Sequence, residues 1–334
     1  MTEFDEDLLA RQEARTLCRR AGQAQQTLET LPQEKLDAIV RAMAAAFEGE
    51  CASLAKMAVE ETGFGNTQDK TEKNRFACRD VLRAVEPMKT VGILREDREK
   101  SLWEIGVPVG VIGAIVPSTN PTSTVCYKAL IAVKAGCAIV FSPHPKAAKC
   151  SCAAARILAR AAEAAGAPEG TIACLTKNKM AGTQEMMSAP EVKLLLATGG
   201  PGMVRAAYSS GKPAIGVGAG NGPAFIHSSA DVPKAVADII RSKTFDNGTV
   251  CASEQSIIVE RSMETAVLAE AEKQGIYLMP RDQAGALAKL LFKPGGGLDP
   301  QVVGKTAIYL AEKAGFSVPK NTKVLMAREQ EAGP

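Results

Sequence analysis

Residues 109–121 read VGVIGAIVPSTNP, and the fold turns on whether the apolar run at their start is a strand or a piece of helix. Val109–Val116 is short for a helix, carries β-branched side chains, and runs straight into a polar loop bracketed by Pro117 and Pro121. A strand buried on both faces looks like this, because neither face needs polar residues. The sequence downstream repeats the alternation. A helical stretch, Thr122–Ala135, leads to the apolar Ala138–Ser142 (AIVFS) and then to a helix over Lys146–Ala165. A strand-like Gly170–Leu175, a helix around Gln184–Ala189, the run Val192–Thr198 (VKLLLAT), the turn GGPG and a helix over Met203–Ser209 follow. Strands joined by helices of about 10–20 residues predict a parallel sheet with right-handed crossovers and helices on both sides. The expected fold class is α/β, a doubly wound, Rossmann-like parallel sheet.

Upstream, residues 5–85 read as helical. Glu34–Glu48 places Leu36, Ile39, Val40, Met43 and Phe47 on one face, with Pro32 at its start. Short apolar runs split by the charged REDREK (95–100) predict a hairpin arm near 91–108. After Phe225-Ile226 a second unit is expected. It comprises helices over Pro233–Lys243, Met263–Gln274 and around Gln283–Leu291, the last ended by Gly295-Gly296-Gly297. Thr306–Ala314 and a strand at Lys323–Ala327 complete it. The chain thus divides into a dinucleotide-binding domain, 1–226, and the first part of a second α/β domain, 227–334.

The 334 residues are 46% hydrophobic and 23% charged, the balance of a globular chain, with 40 Lys plus Arg against 37 Asp plus Glu for a net +3. The basic residues are scattered, so no stripe for nucleic acid is expected. No run approaches the roughly 18 apolar residues of a membrane span, and Met1–Arg20 is too polar for a secretory signal; a cytoplasmic protein is expected. Nine cysteines and two histidines, without a CxxC pair, give no metal-ligand spacing. In a reducing compartment most of the thiols read as small buried hydrophobes.

Two places carry candidate chemistry. Thr198-Gly199-Gly200-Pro201-Gly202 joins a strand to a helix, where bare N–H groups suit a pyrophosphate. The spacing is not GxGxxG, and a tight turn explains it equally well. A second glycine-rich loop, Gly216–Gly222 (GVGAGNG), fits close backbone approach or a crossing between domains. In FDNGTVCASEQSIIVE (245–260), Cys251 stands between an Asp-Asn-Gly turn and Ser256–Val259, which reads as a buried strand. Unpaired N–H groups at such a strand mouth favour a nucleophilic thiolate and offer an oxyanion donor, while a structural cysteine is the plainer reading.

IVPSTNPTS (115–123), AIVFSPHPKA (138–147), LATGGPGMVRAAYSSGKPAIGVGAGN (196–221) and KTFDNGTVCASEQS (243–256) resemble the CoA-acylating aldehyde dehydrogenases. The likeness includes the aldehyde dehydrogenase half of bifunctional alcohol/aldehyde dehydrogenases and microcompartment enzymes, and it runs in order from about residue 10 onward. It implies Cys251 as nucleophile and Asn120 as an amide holding the substrate oxygen. Pro117, Ser118 and Thr119 beside that asparagine, Ser142, Pro143 and His144 at the adenosine ribose, and Thr198–Gly202 at the pyrophosphate would bind NAD+, with NADP+ left open. Val217 and Gly218 lie on the loop where hydrolytic relatives carry a glutamate base, and Val217 takes that glutamate's place. The resemblance therefore implies oxidation of a short aldehyde to acyl-CoA through a Cys251 thioester, with coenzyme A as co-substrate. It also implies a homo-oligomer, in the cytoplasm or a bacterial microcompartment. Phe4, Leu8, Leu9 and Leu17 read first as an ordinary helix packed on the domain, with an amphipathic helix that addresses the enzyme to a microcompartment as the alternative.

Family chains run well past the position of Pro334, so an incomplete second domain with weak turnover is expected. The rival readings are a hydrolytic aldehyde dehydrogenase and a non-catalytic nucleotide-binding or assembly fragment; a cofactor-free cysteine hydrolase is a more distant one.

Overall fold

The computed structural model describes residues 5–293 and 297–329. They form two compact units: the chain up to 62 with 70–219, and 63–69 with 220 onward.

The first unit opens with helices α1 (Glu6–Leu28), α2 (Gln33–Gly49) and α3 (Cys51–Thr62). Next come α4 (Thr67–Arg75), whose first residues count with the second unit, a π-helical turn at Phe76–Asp80, and α5 (Val81–Val85). The expected arm is an antiparallel hairpin, β1 (Gly92–Asp97) with β2 (Leu102–Gly106). The alternating part is β3 (Val111–Val116), α6 (Pro121–Lys134), β4 (Ile139–Pro143), α7 (Ala148–Ala164), β5 (Ile172–Cys174), α8 (Met180–Ser188), β6 (Val192–Thr198), α9 (Pro201–Tyr208) and β7 (Ala214–Val217).

All five of its strands are parallel, in the order β5-β4-β3-β6-β7. The chain winds outward from β3 to β5, then returns past β3 to lay down β6 and β7. The strand order therefore reverses between β3 and β6, and the crevice beyond their carboxyl ends is where open α/β sheets bind ligands.

Why the quoted run is a strand is visible in its packing. Ile112, Ala114 and Val116 face one core with Ile139 and Phe141, beneath side chains of α2, α6 and α7. Val111 and Ile115 face the other with Val140, Leu195 and Ala197, against α1 and α8. Two-residue periodicity sends successive side chains to opposite faces, and both faces are covered. The residues expected on one face of α2 are all buried. Helix α1 buries Ala10, Ala14, Cys18, Ala21 and Leu28, while Leu8 is 59% exposed and Leu17 packs at the edge of the core, so mostly small residues make the contact. Phe4 lies outside the described residues.

The second unit contains β8 (Gly222–Ile226), α10 (Val232–Thr244), a 3-10 turn (Phe245–Gly248), β9 (Glu254–Val259), α11 (Glu264–Lys273), β10 (Ile276–Leu278), α12 (Arg281–Leu291), α13 (Ala307–Lys313) and β11 (Val324–Met326). β8 pairs with β9 and β10 with β11, both in parallel. Ile226, Val236, Ile240, Val267, Ala271 and Ile276 form its core. Two expectations are corrected here. Because β8 pairs with β9 and not with the five-stranded sheet, the division falls before β8, not after Ile226. The run Ser256–Val259 is not a buried strand: Ile257 and Val259 pack on the core, but Ile258 is 50% exposed, because this strand pair has a single covered face. Of the glycines expected to end α12, Gly295 and Gly296 lie outside the described residues.

Among the described residues no helix is long and apolar enough to cross a membrane, and no three side chains are grouped to hold a metal ion.

Candidate active site

In the first unit the loop Pro117–Asn120 leaves β3 at the point where the strand order reverses, and α4 grips it. Lys70, Lys73 and Asn74 lie three and four residues apart, hence on one helix face. Lys70 Nζ donates to the Thr119 carbonyl at 2.9 Å and Lys73 Nζ to Asn120 Oδ1 at 2.5 Å. Asn74 Oδ1 accepts from the Thr122 hydroxyl at 2.8 Å. Asn120 occupies the N-cap position of α6, yet its side chain makes no capping hydrogen bond; Nδ2 donates instead to Thr119 Oγ1 at 3.1 Å. None of these α4 residues stood out in the sequence, because a short polar helix reads as a solvated one.

Lys128 was missed as well. It is buried in α6, and its Nζ donates to the Ile115 carbonyl at 2.9 Å and to the Leu196 carbonyl at 2.8 Å, on β3 and β6. Burial pushes its pKa down to about 7. A lysine inside the apolar TVCYKALIAV (124–133) was the available signal.

The turn after β6 is open. Gly200 is the N-cap of α9, Pro201 fills its first position, and the Gly199 N–H donates to the Val217 carbonyl at 3.1 Å. Gly200 and Gly202 are exposed, and added methyl groups there would touch nothing, so a ligand can approach the first-turn N–H groups. Val217 ends the edge strand β7 and is 47% exposed, with Gly218 exposed behind it. At the end of β4 the three expected residues separate. Ser142 is buried with its hydroxyl 2.8 Å from that of Thr183, and Pro143 is buried too. His144 is exposed and accepts from the Lys146 N–H at 3.1 Å; partial desolvation, then the Lys146 charge, lowers its pKa.

The second unit carries Cys251 in the turn that enters β9. Asp246, Asn247 and Gly248 before it all have left-handed φ, at 50°, 52° and 71°. Asp, Asn and Gly are the residues that tolerate this region, which is why this triplet makes the turn. Asp246 is wholly buried: its carboxylate accepts from the Asn66 N–H at 2.8 Å and from the Thr249 hydroxyl, and its own N–H donates to Asp69 Oδ2 at 2.7 Å. Asn247 Nδ2 donates to the Gly304 carbonyl at 3.0 Å. Gly65, at φ +70°, lies so close that a Cβ there would overlap the Asp246 carboxylate. On the other side Gly220 abuts the Cys251 carbonyl, where a Cβ would stand 3.0 Å from the carbonyl carbon and overlap its oxygen. Both flanks of the cysteine turn are therefore held by backbone.

Among the described residues the Cys251 N–H donates to no protein acceptor. Of the nine thiols, Cys251 is the exposed one; six are buried and Cys152 and Cys174 are half-buried. Burial pushes Cys18 up to about 12 and raises Cys126, Cys137 and Cys150 as well. The thiol chosen by its surroundings in the sequence is the accessible one. Asn120 and Cys251 fall in different units.

Residues 7–278 match the profile of the aldehyde dehydrogenase family. Over 314 residues the chain is 46% identical to the bifunctional aldehyde-alcohol dehydrogenase AdhE of Escherichia coli (strain K12), an alignment covering 94% of this chain and 35% of that protein. It thus spans about a third of the length of such bifunctional relatives. An acetylating aldehyde dehydrogenase from Geobacillus thermoglucosidasius superposes with a TM-score of 0.96 at 52% identity, over 99% of this chain and 73% of that one. A propionaldehyde dehydrogenase of Rhodopseudomonas palustris with bound propionyl-CoA gives a TM-score of 0.83 at 32% identity, covering 94% and 70%. The α/β sheet wound about its switch point, the exposed cysteine turn and these matches lead to one assignment: the chain belongs to the aldehyde dehydrogenase family.

Proposed function

We propose that this chain carries the aldehyde-oxidising chemistry of a CoA-acylating aldehyde dehydrogenase: aldehyde, NAD(P)+ and coenzyme A give acyl-CoA, NAD(P)H and a proton, reversibly. The observation that carries this reading is Cys251, the exposed thiol among nine, three residues beyond a left-handed turn and with its own N–H open.

The crevice at the ends of β3 and β6 fits a dinucleotide, since the exposed glycine turn at the start of α9 offers N–H groups and no side-chain bulk. Pro117–Thr119, His144, Thr198–Gly202, Val217 and Gly218 would line it. Ser142 and Pro143 are buried and would contribute their backbone. NAD(P)+, when bound, accepts the hydride.

Cys251 sulfur attacks the aldehyde carbon, and the carbonyl oxygen becomes an alkoxide that the Cys251 N–H can stabilise. The Asn120 amide is the second donor by the family resemblance. Loss of hydride from that carbon leaves an acyl thioester on Cys251. Val217 presents an apolar side chain where hydrolytic relatives have a carboxylate, so nothing at that position deprotonates water. The thiol of coenzyme A then takes the acyl group, and the Cys251 sulfur leaves as thiolate. The propionyl-CoA held by the Rhodopseudomonas palustris relative is in keeping with this step.

Assembly and address belong to the same reading. The hairpin arm exposes Ile93, Leu94, Leu102, Trp103 and Ile105, an apolar ribbon suited to a homo-oligomer, in the cytoplasm or a microcompartment. The decisive experiment follows NADH formation from acetaldehyde and propionaldehyde by the full-length protein, with and without coenzyme A. Sustained turnover only with coenzyme A is expected, with an acyl adduct on Cys251 by mass spectrometry when it is omitted. Undiminished turnover without coenzyme A would instead establish the hydrolytic enzyme.

A further inference from the structure

We propose that Lys73 is a positioning residue for the oxidation step. It fixes which end of the Asn120 amide faces the reacting oxygen, and its charge makes that amide a stronger donor. This deepens the proposed function and rests on the role given there to Asn120.

An asparagine at an N-cap normally turns its oxygen back to accept a backbone N–H of the first turn. Asn120 stands at the N-cap of α6 and forgoes that bond. Its Oδ1 is taken by the Lys73 ammonium at 2.5 Å. An ammonium has three donors and no acceptor, so only the oxygen end of the amide can face it. The two ends of an amide have nearly the same shape, and packing alone does not choose between them. Lys73 makes the choice by charge: Oδ1 faces the lysine and the NH2 group is directed away from it. Turned the other way, the asparagine would offer an acceptor to a developing alkoxide and repel it.

The lysine also drains electron density from Oδ1. Polarisation passes through the amide and strengthens its N–H groups as donors, as in any hydrogen-bonded chain. Lys70, one turn earlier on α4, and the adjacent Asn74 hold the Thr119 carbonyl and the Thr122 hydroxyl, so the loop is gripped as a unit. The contribution of Lys73 is greatest once the oxygen bears charge, which places it on the transition state and not on aldehyde binding.

The test is a double-mutant cycle in the full-length protein with Lys73→Met, Lys73→Arg, Asn120→Ala and the Lys73→Met/Asn120→Ala pair. The readouts are kcat and KM for aldehyde, the single-turnover rate of NADH formation, and the melting temperature. Loss of one oxyanion donor lowers kcat by about 10²–10³, so Lys73→Met is expected to lose about 10–100-fold in kcat and in the single-turnover rate, with KM changed by less than about threefold. Lys73→Arg, which can still donate to Oδ1, is expected to recover most of the rate. In the Asn120→Ala background Lys73→Met is expected to cost less than about twofold more, because the group it acts through is gone. Three results would overturn the proposal: a Lys73→Met rate within about threefold of wild type, a loss confined to KM, or effects that multiply in the pair. If Asn120→Ala itself keeps full kcat, the role of Asn120 fails first, and the cycle separates that from a failure of Lys73. Should Lys73→Met melt too early to assay, Lys73→Arg against Lys73→Gln makes the same comparison, charge kept against charge removed.

Discussion

Replacing Gly220 with alanine adds one methyl group to an exposed loop, where most substitutions change stability by less than about 0.5 kcal/mol. The structure predicts a large functional effect all the same. The new Cβ would stand 3.0 Å from the carbonyl carbon of Cys251. The carbonyl oxygen extends about 1.2 Å from that carbon toward Gly220, inside the volume of the methyl. Relief needs one of the two backbones to retreat by about 1 Å, and a misplacement of that size at a reacting group can cost about 100-fold in rate. The Cys251 turn is also the part held on its other flank by Asp246 and Gly65, so the displacement tilts the sulfur and the N–H of residue 251 together. Pre-steady-state NADH formation under saturating aldehyde and NAD+ is the assay, with the melting temperature taken alongside. A rate lower by about 100-fold, with melting within about 2 °C of wild type, is expected. Gly285→Ala in α12 is the control, since a methyl there meets nothing and alanine favours a helix. A Gly220→Ala protein that forms NADH within threefold of wild type would show that the close approach of the two loops does not set the position of the cysteine.

Three other outcomes can be checked. Brief treatment with iodoacetamide should carboxamidomethylate Cys251 ahead of the other eight cysteines, read by peptide mapping, because it alone is exposed. Lys128, with a folded pKa near 7 against about 10.4 when unfolded, is charged in the unfolded chain and increasingly neutral in the folded one as pH rises past 7. The unfolded state then binds more protons, so this group makes stability rise with pH. Lys128→Met should remove about 1.5 kcal/mol of stabilisation gained between pH 7.0 and 8.5, measured by urea unfolding at the two pH values; parallel curves for both proteins would contradict it. Asp246→Ala leaves the half-buried Asn66 N–H and the buried Thr249 hydroxyl without their carboxylate, and should destabilise by about 1–3 kcal/mol and slow the acylation of Cys251.

What the sequence disclosed and what it withheld divide along physical lines. The strands β3, β4 and β6 were legible because a parallel strand between two helical layers must be apolar throughout, and prolines and glycines mark its ends. Observed Val192–Thr198 coincides with the expected run. The face of α2 was legible from its spacing. The turn ahead of Cys251 was legible because Asp-Asn-Gly is a local turn signal needing no tertiary contact. The membership of β8 was not, since a short strand gives no sign of which partner it will pair with. Ser256–Val259 misled because β-branched residues suit a half-covered strand as well as a buried one. Lys70 and Lys73 were invisible for a deeper reason: α4 has no apolar stripe, and its meaning lies wholly in which loop it touches.

The same contrast bears on where the chemistry lies. Along the five-stranded sheet, local preference and global fold agree residue by residue, and nothing there asks for a functional explanation. Elsewhere they conflict. Asn120 gives up its cap, Lys128 is buried with its amine on two strand carbonyls, and Asp246 and Asn247 hold left-handed backbone at about 1 kcal/mol or more each. These departures are not scattered. The first two gather at the carboxyl ends of β3 and β6, and the third lies four and five residues ahead of Cys251. A core optimised for stability alone would put a leucine at 128, whereas a lysine there ties together the ends of the two strands that frame the switch point. The departures thus lie at the switch point of the first unit and ahead of the exposed thiol of the second, where positioning a group competes with local backbone and burial preference.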